Sequence, residues 1–226
     1  KRKQKIVSLP GLWNNTRMNI QNNDDNIFDA QGFRYNVGIV IINARNEVFW
    51  ARRVGQNAWQ FPQGGMVAGE SAEQAMYREL NEETGLLPEH VELLAQTKSW
   101  LAYRLPLRFR RRRRQGMVQC IGQKQKWFLL RLKAAESMVN LNVNDSPEFE
   151  QWQWVDFWRP ALEVVHFKRR VYQAALEELA DFDAQLLARK PDFSPPQSDN
   201  HAKPTPPAAQ PKRKVPSFAK RRRKSF

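Results

Sequence analysis

Apolar and polar positions change character along the chain near Tyr35. Residues 1–28 are polar and Asn-rich, and residues 19–26 have little to bury. From Asn36 the run Val37, Ile39, Val40, Ile41, Ile42 predicts a β-strand over about 36–42. A turn follows at 43–46 and a second strand at 47–51, which together predict a hairpin. Phe61, Pro62, Gln63, Gly64 and Gly65 read as a loop leading into a helix over 72–84. Ser71 and Gln74 have capping-box spacing, and Gly85 has the position of a C-cap. Strands are predicted at 92–101, 125–132 and 151–155. A helix over about 160–187, broken once near 164–167, follows them. Beyond Pro191, Pro, Ala, Ser and Lys dominate, which predicts a disordered tail over 189–226.

These elements describe an α/β chain with one folded domain over residues 29–188, an irregular leader and a basic tail. The length of 226 residues suits a single domain with extensions. No apolar run approaches the roughly 18–20 residues of a membrane span, so no membrane-spanning helix is expected. The leader shows no apolar stretch of the signal-peptide kind. Its first methionine is Met18, so the sequence is either a fragment or a chain whose true start lies downstream of Lys1. The lone cysteine, Cys120, excludes an internal disulfide and fits a reducing cytoplasm. With Val118, Ile121 and Trp127 around it, Cys120 reads as a buried strand residue.

Charge narrows the partner. The net charge is +14 and the isoelectric point about 10.3. Such an excess points to a polyanion, either nucleic acid or an anionic membrane surface. Two segments carry much of it: the arginines between Arg108 and Arg114, and the tail ending in Lys220, Arg221, Arg222, Arg223 and Lys224. The tail from Pro191 and the arginines at 110–114 are expected to raise affinity for nucleic acid without choosing sequence, through phosphate contacts that weaken with salt.

The helix after the glycine loop carries the chemistry. At about 100° per residue, Ala72, Ala75, Met76 and Leu80 form its apolar stripe. Glu79 and Glu83 fall inside that stripe and Glu82 at its edge. Buried unpaired charge is costly and like charges at i and i+4 repel, so something positive must face them. Arg78 with Arg52 or Arg53 would do so. A divalent cation would do it better, because Mg²⁺ and Mn²⁺ prefer carboxylate oxygens and water, with substrate phosphate completing the shell. Gly64, Gly65 and Gly69 let the backbone approach a ligand at the helix N-terminus, where an anion is favoured.

The pattern from Gly64 through Glu70, Arg78, Glu79, Leu80, Glu82, Glu83, Gly85 and Leu86 resembles the Nudix box (residues 64–86) at every defined position. The likeness extends over about residues 32–179. Trp59 to Gly65, Glu73 to Leu80 and Ile121 to Phe128 resemble the bacterial RNA pyrophosphohydrolase branch, also described through diadenosine polyphosphate hydrolysis. The resemblance implies an α/β/α sandwich with a mixed β-sheet and a catalytic divalent metal, Mg²⁺ or else Mn²⁺. It implies metal binding by Glu79, Glu82, Glu83 and the distant Glu148. Catalytic roles fall to Glu79 and Glu83, with Arg78 orienting a carboxylate and Glu70 structural. Arg34, Arg53, Tyr103, Gln123, Val165, Phe167 and Lys168 match positions that hold RNA, Phe167 stacking a base with Arg53 on its other face. Tyr35 stands where relatives often have Pro, and Ala58 where they often have Ser.

The expected reaction converts 5′-triphosphate RNA ends to 5′-monophosphate by phosphoanhydride hydrolysis, which promotes RNA decay. Diadenosine polyphosphates or free nucleotides are the alternative substrates. A non-catalytic RNA-binding protein is the alternative of another class, but binding alone needs none of the three box carboxylates.

Overall fold

The computed structural model describes residues 27–110 and 119–193. Expectations for residues 1–26, Arg111 to Arg114 and residues 194–226 therefore lie outside the described residues. The chain divides into Lys1–Pro191 and Asp192–Phe226, and every element below belongs to the first unit. Eight strands form one sheet: β1 (Phe33–Ile42), β2 (Val48–Arg53), β3 (Trp59–Gln60), β4 (Gln63–Gly65), β5 (Val91–Gln96), β6 (Leu101–Arg104), β7 (Gly122–Leu132) and β8 (Phe149–Val155). The helices are α1 (Ala72–Thr84), α2 (Arg159–Glu163), α3 (Arg169–Ala180) and α4 (Ala184–Ala188).

The sheet is mixed, as expected. β1 and β7 run parallel over ten residue pairs, Phe33 opposite Gly122 to Ile42 opposite Arg131. All other pairings are antiparallel. The β1–β2 hairpin closes with Ile42 opposite Val48. The backbone order is β3-β2-β1-β7-β5, with β4 on β1, β6 on β7 and β8 on β2.

Alternation along β1 sends side chains to two cores. Val37, Ile39 and Ile41 pack with Phe128 and Leu130 against Ala75, Met76 and Leu80 of α1. On the opposite face Trp50, Phe61, Trp127 and Tyr172 form a ring cluster, with Phe61 stacked on Tyr172 at 5.3 Å and Trp127 edge-on to Tyr172 at 5.0 Å. Burying each such ring stabilises by roughly 1.5–3 kcal/mol. Gly38 makes room for it: a Cβ there would fall 2.5 Å from the Trp127 ring.

Several boundaries differ from expectation. Residues 92–101 are not one strand; pairing with β7 breaks between β5 and β6, where Thr97 takes the Trp127 backbone instead. The expected loop at 61–65 contains β4, whose Gly64 pairs with Val37. β7 begins at Gly122, three residues before the expected start at 125, because it pairs with Phe33 at the start of β1. Cys120 precedes that strand and is half-buried, its Sγ 3.3 Å from the Gly122 carbonyl oxygen. The long helix breaks twice: at residues 164–168, and again where Asp183 caps α4 through the Gln185 N–H.

Candidate active site

α1 is fixed at both ends by its own sequence. Ser71 Oγ accepts from the Gln74 N–H at 3.2 Å and Gln74 Oε1 accepts from the Ser71 N–H at 2.8 Å. Gly85 ends the helix at φ +73° with its N–H on Asn81 O. This phasing turns Glu79 and Glu83 inward, leaving them 9% and 5% exposed, with Glu82 at the rim.

Arg78 gathers the box. Its guanidinium donates to Glu70 Oε1 at 2.8 Å, Glu70 Oε2 at 3.1 Å, the Gly65 carbonyl at 2.9 Å, Glu79 Oε1 at 2.6 Å and Glu82 Oε2 at 3.3 Å. Bidentate pairing of this kind fixes orientation as well as charge. Glu70 also accepts from the Val67 N–H at 2.7 Å, tying the loop at Gly69 (φ +87°) to the helix. Glu83 Oε2 accepts from the Gln63 N–H at 2.9 Å, whereas its Oε1 is buried without a hydrogen-bond partner.

The compensation is incomplete. Burial pushes the Glu79 carboxyl up to about 7 despite Arg78, and Glu82 and Glu148 add to the rise. Glu83 is raised well above the carboxylate range by burial, then by Glu148 and Glu79. Arg52 is occupied elsewhere, with Glu150 at 2.9 Å. Arg53 lies 3.8 Å from Glu148 across a bulge at the end of β2. Among the described residues no three carboxylate, His or Cys groups converge tightly enough to enclose an ion unaided. The donor set nevertheless fits a hard cation: neighbouring carboxylates add to the rise at Glu79 and at Glu83, and one buried Glu83 oxygen has no partner.

The expected RNA contacts fall beside this cluster. Arg34 and Gln123 are register partners on β1 and β7, and Tyr103 of β6 pairs with Gln123 on its other side. The Tyr103 hydroxyl donates to Gln123 Oε1 at 2.6 Å, and the Arg34 guanidinium lies against Gly65. Lys168, 7% exposed, donates to Gln63 Oε1 at 3.0 Å and Gln60 Oε1 at 3.3 Å. Burial and then Arg53 lower its ammonium to about 8. Phe167 is half-buried, its ring 5.9 Å from Tyr103 and 5.5 Å from Phe109. Val165 is exposed on the turn before it.

Gln63 escaped the sequence reading. Its backbone holds Glu83 and its side chain holds Lys168, so one residue joins the two halves of the site. Buried Asn36 and Gln125, joined at 2.6 Å, lie beside it. The signal for these two was a polar residue inside each apolar strand, at positions that β1–β7 pairing brings opposite.

Residues 32–175 match the NUDIX domain family, and the chain belongs to it. It is therefore a Nudix hydrolase acting on a phosphoanhydride, and enzymes of this family use a divalent metal. Over 153 residues it is 58% identical to the RNA pyrophosphohydrolase of Acinetobacter baylyi, covering 68% of this chain and 91% of that protein. Over 164 residues it is 57% identical to the RNA pyrophosphohydrolase of Shewanella piezotolerans, covering 73% and 94%. Among solved structures, the dihydroneopterin triphosphate pyrophosphohydrolase of E. coli is 20% identical with a TM-score of 0.48, over 62% of this chain and 92% of that one. Among the described residues no helix is long and apolar enough to cross a membrane.

Proposed function

We propose that this chain is an RNA pyrophosphohydrolase that converts 5′-triphosphate RNA ends to 5′-monophosphate and so opens transcripts to decay. The observation that carries the reading is Gln63, which links the carboxylate Glu83 to the cationic and aromatic cleft of Lys168, Phe167 and Tyr103. The names of relatives 57–58% identical support the same substrate.

Glu79, Glu82, Glu83 and Glu148 would hold Mg²⁺, or Mn²⁺ in its place. When bound, the ion neutralises charge on the phosphate oxygens as the anhydride breaks. The chain does the rest. Arg78 keeps Glu79 and Glu82 in one orientation. Glu83, with its free Oε1, accepts the proton of the attacking water. The water oxygen joins phosphorus while the anhydride P–O bond breaks. Lys168, Gln123 and Arg34 hold the RNA, with Arg53 beside Glu148 at the metal side. The leader before residue 29 and the tail from 189 flank the catalytic domain, and the single cysteine fits a cytoplasmic enzyme.

The test is a side-by-side assay in Mg²⁺ of triphosphorylated RNA and diadenosine tetraphosphate. Faster 5′-monophosphate formation on RNA supports the reading. Preference for the dinucleotide would make diadenosine polyphosphate the substrate. Binding of RNA without turnover of either would make the chain an RNA-binding protein.

A further inference from the structure

The segment 104–110 presents apolar side chains that the proposed reaction does not use. Leu107 is 79% and Phe109 50% exposed. Phe109 is not loose: its N–H donates to Pro106 O at 2.9 Å, and Arg110 Nε donates to Leu105 O at 2.8 Å. Its ring stands 5.5 Å from Phe167 at 43°, and Arg108 lies over it with the guanidinium carbon 4.8 Å from the centroid. Arg104 is exposed on the same segment, its guanidinium over the Phe33 ring.

Position and charge favour one occupant. From Glu83 the chain of contacts runs through Gln63 to Lys168, then to the adjacent Phe167, then outward to Phe109. From residue 93 to residue 135 the sequence has no Asp or Glu and twelve Lys or Arg. A half-exposed aromatic ring, capped by arginine and set in a stretch without acids, matches single-stranded nucleic acid, where bases stack and phosphates meet cations. A protein partner would bring no comparable need for this uniform positive charge.

We propose that Phe109 and Arg108 form an outer stacking step, which holds the base that follows the nucleotide at Phe167, with Arg104 and Arg110 facing its phosphates. This rests on the RNA reading of the site and extends it: the enzyme grips several unpaired 5′ nucleotides, and the outer step does not touch the reacting phosphates.

The experiment measures kcat/KM in Mg²⁺ on two substrates, a triphosphorylated dinucleotide and a triphosphorylated RNA with a long unpaired 5′ end. The proteins are wild type, Phe109→Ala, Phe109→Leu and Phe109→Trp. Phe109→Ala and Phe109→Leu should each lose about three- to tenfold on the long RNA through KM, as expected for one exposed stacking contact. Phe109→Trp should retain wild-type turnover, and all four should match on the dinucleotide. Full activity of Phe109→Leu on the long RNA would reduce Phe109 to apolar packing on Phe167 and overturn the proposal. So would equal loss on both substrates, or no loss from Phe109→Ala. Failure of the wild type on both RNAs would overturn the RNA reading itself, and the outer step with it.

Discussion

The Glu79 carboxylate lies over the Cα of Gly64, so that a Cβ on Gly64 would fall 1.7 Å from the carboxyl carbon and 1.9 Å from both oxygens. The glycine of the box is thus the floor on which a catalytic carboxylate rests. The atoms that an added methyl would meet belong to the end of a side chain, which can swing away.

Gly64→Ala should therefore fold normally and lose activity. A shift of about 1 Å in a catalytic group can cost on the order of 10²-fold, and a loss of that size is expected with little change in thermal midpoint. Gly38→Ala is the contrast: its Cβ would strike the buried Trp127 ring. Overpacking there should cost roughly 1–3 kcal/mol. Thermal melts and turnover of both variants check the pair; a Gly64→Ala protein with full activity would show that Glu79 need not hold this position.

The buried carboxylates predict how stability depends on pH without metal. Glu79 rises from 4.5 to about 7, and Glu83 moves in the same direction. A raised folded pKa means that stability is fully present below the unfolded value and is lost as pH rises through the folded one. In EDTA the thermal midpoint should fall between about pH 5 and pH 8. Lys168, lowered to about 8, acts in the opposite sense only above that pH. Mg²⁺ should raise the midpoint more at the upper end of this window, where Glu79 is charged. Glu83→Gln should flatten the EDTA profile. A midpoint in EDTA that climbs steadily across the window would contradict the burial of these groups as charges.

Phe167→Ala should slow turnover of triphosphorylated RNA about tenfold, since stacking on an aromatic ring contributes about 1–3 kcal/mol. Hydrolysis of a mononucleotide triphosphate, which does not reach the cleft, should change little. Because Phe167 also packs on Tyr103 and Phe109, both substrates must be measured on one folded preparation. Equal loss on both would identify Phe167 as a packing residue.

What the sequence reveals here is local. Ser71, Gln74 and Gly85 mark both ends of α1, and the 100° phasing places Glu79 and Glu83 on its buried face. The β1 run and its hairpin are legible because Val37, Ile39 and Ile41 fill one core while Val40 and Ile42 are buried on the other face. Legibility ends where distant chain segments decide. Gly122 and Gln123 join β7 because Phe33 and Arg34 lie opposite on one side and Arg104 and Tyr103 on the other. Thr97 leaves the sheet to serve Trp127. β4 forms from a loop composition because Val37 is there to pair. Gln63 belongs to the site through two contacts, to residues 20 and 105 positions away. Glu148 reached the list of expected ligands through family likeness alone, and its closeness to Glu83 depends on the β2–β8 pairing.

Glu83 is the residue on which the account turns, and one paired assay addresses it. Formation of 5′-monophosphate RNA from 5′-triphosphate RNA is measured for wild type and Glu83→Gln in Mg²⁺, with EDTA as control and thermal melts of both proteins. The expected result is metal-dependent conversion by the wild type, and a Glu83→Gln protein that is folded but slower by on the order of 10²–10⁴-fold. Near-normal turnover by Glu83→Gln, or wild-type conversion unaffected by EDTA, would contradict it.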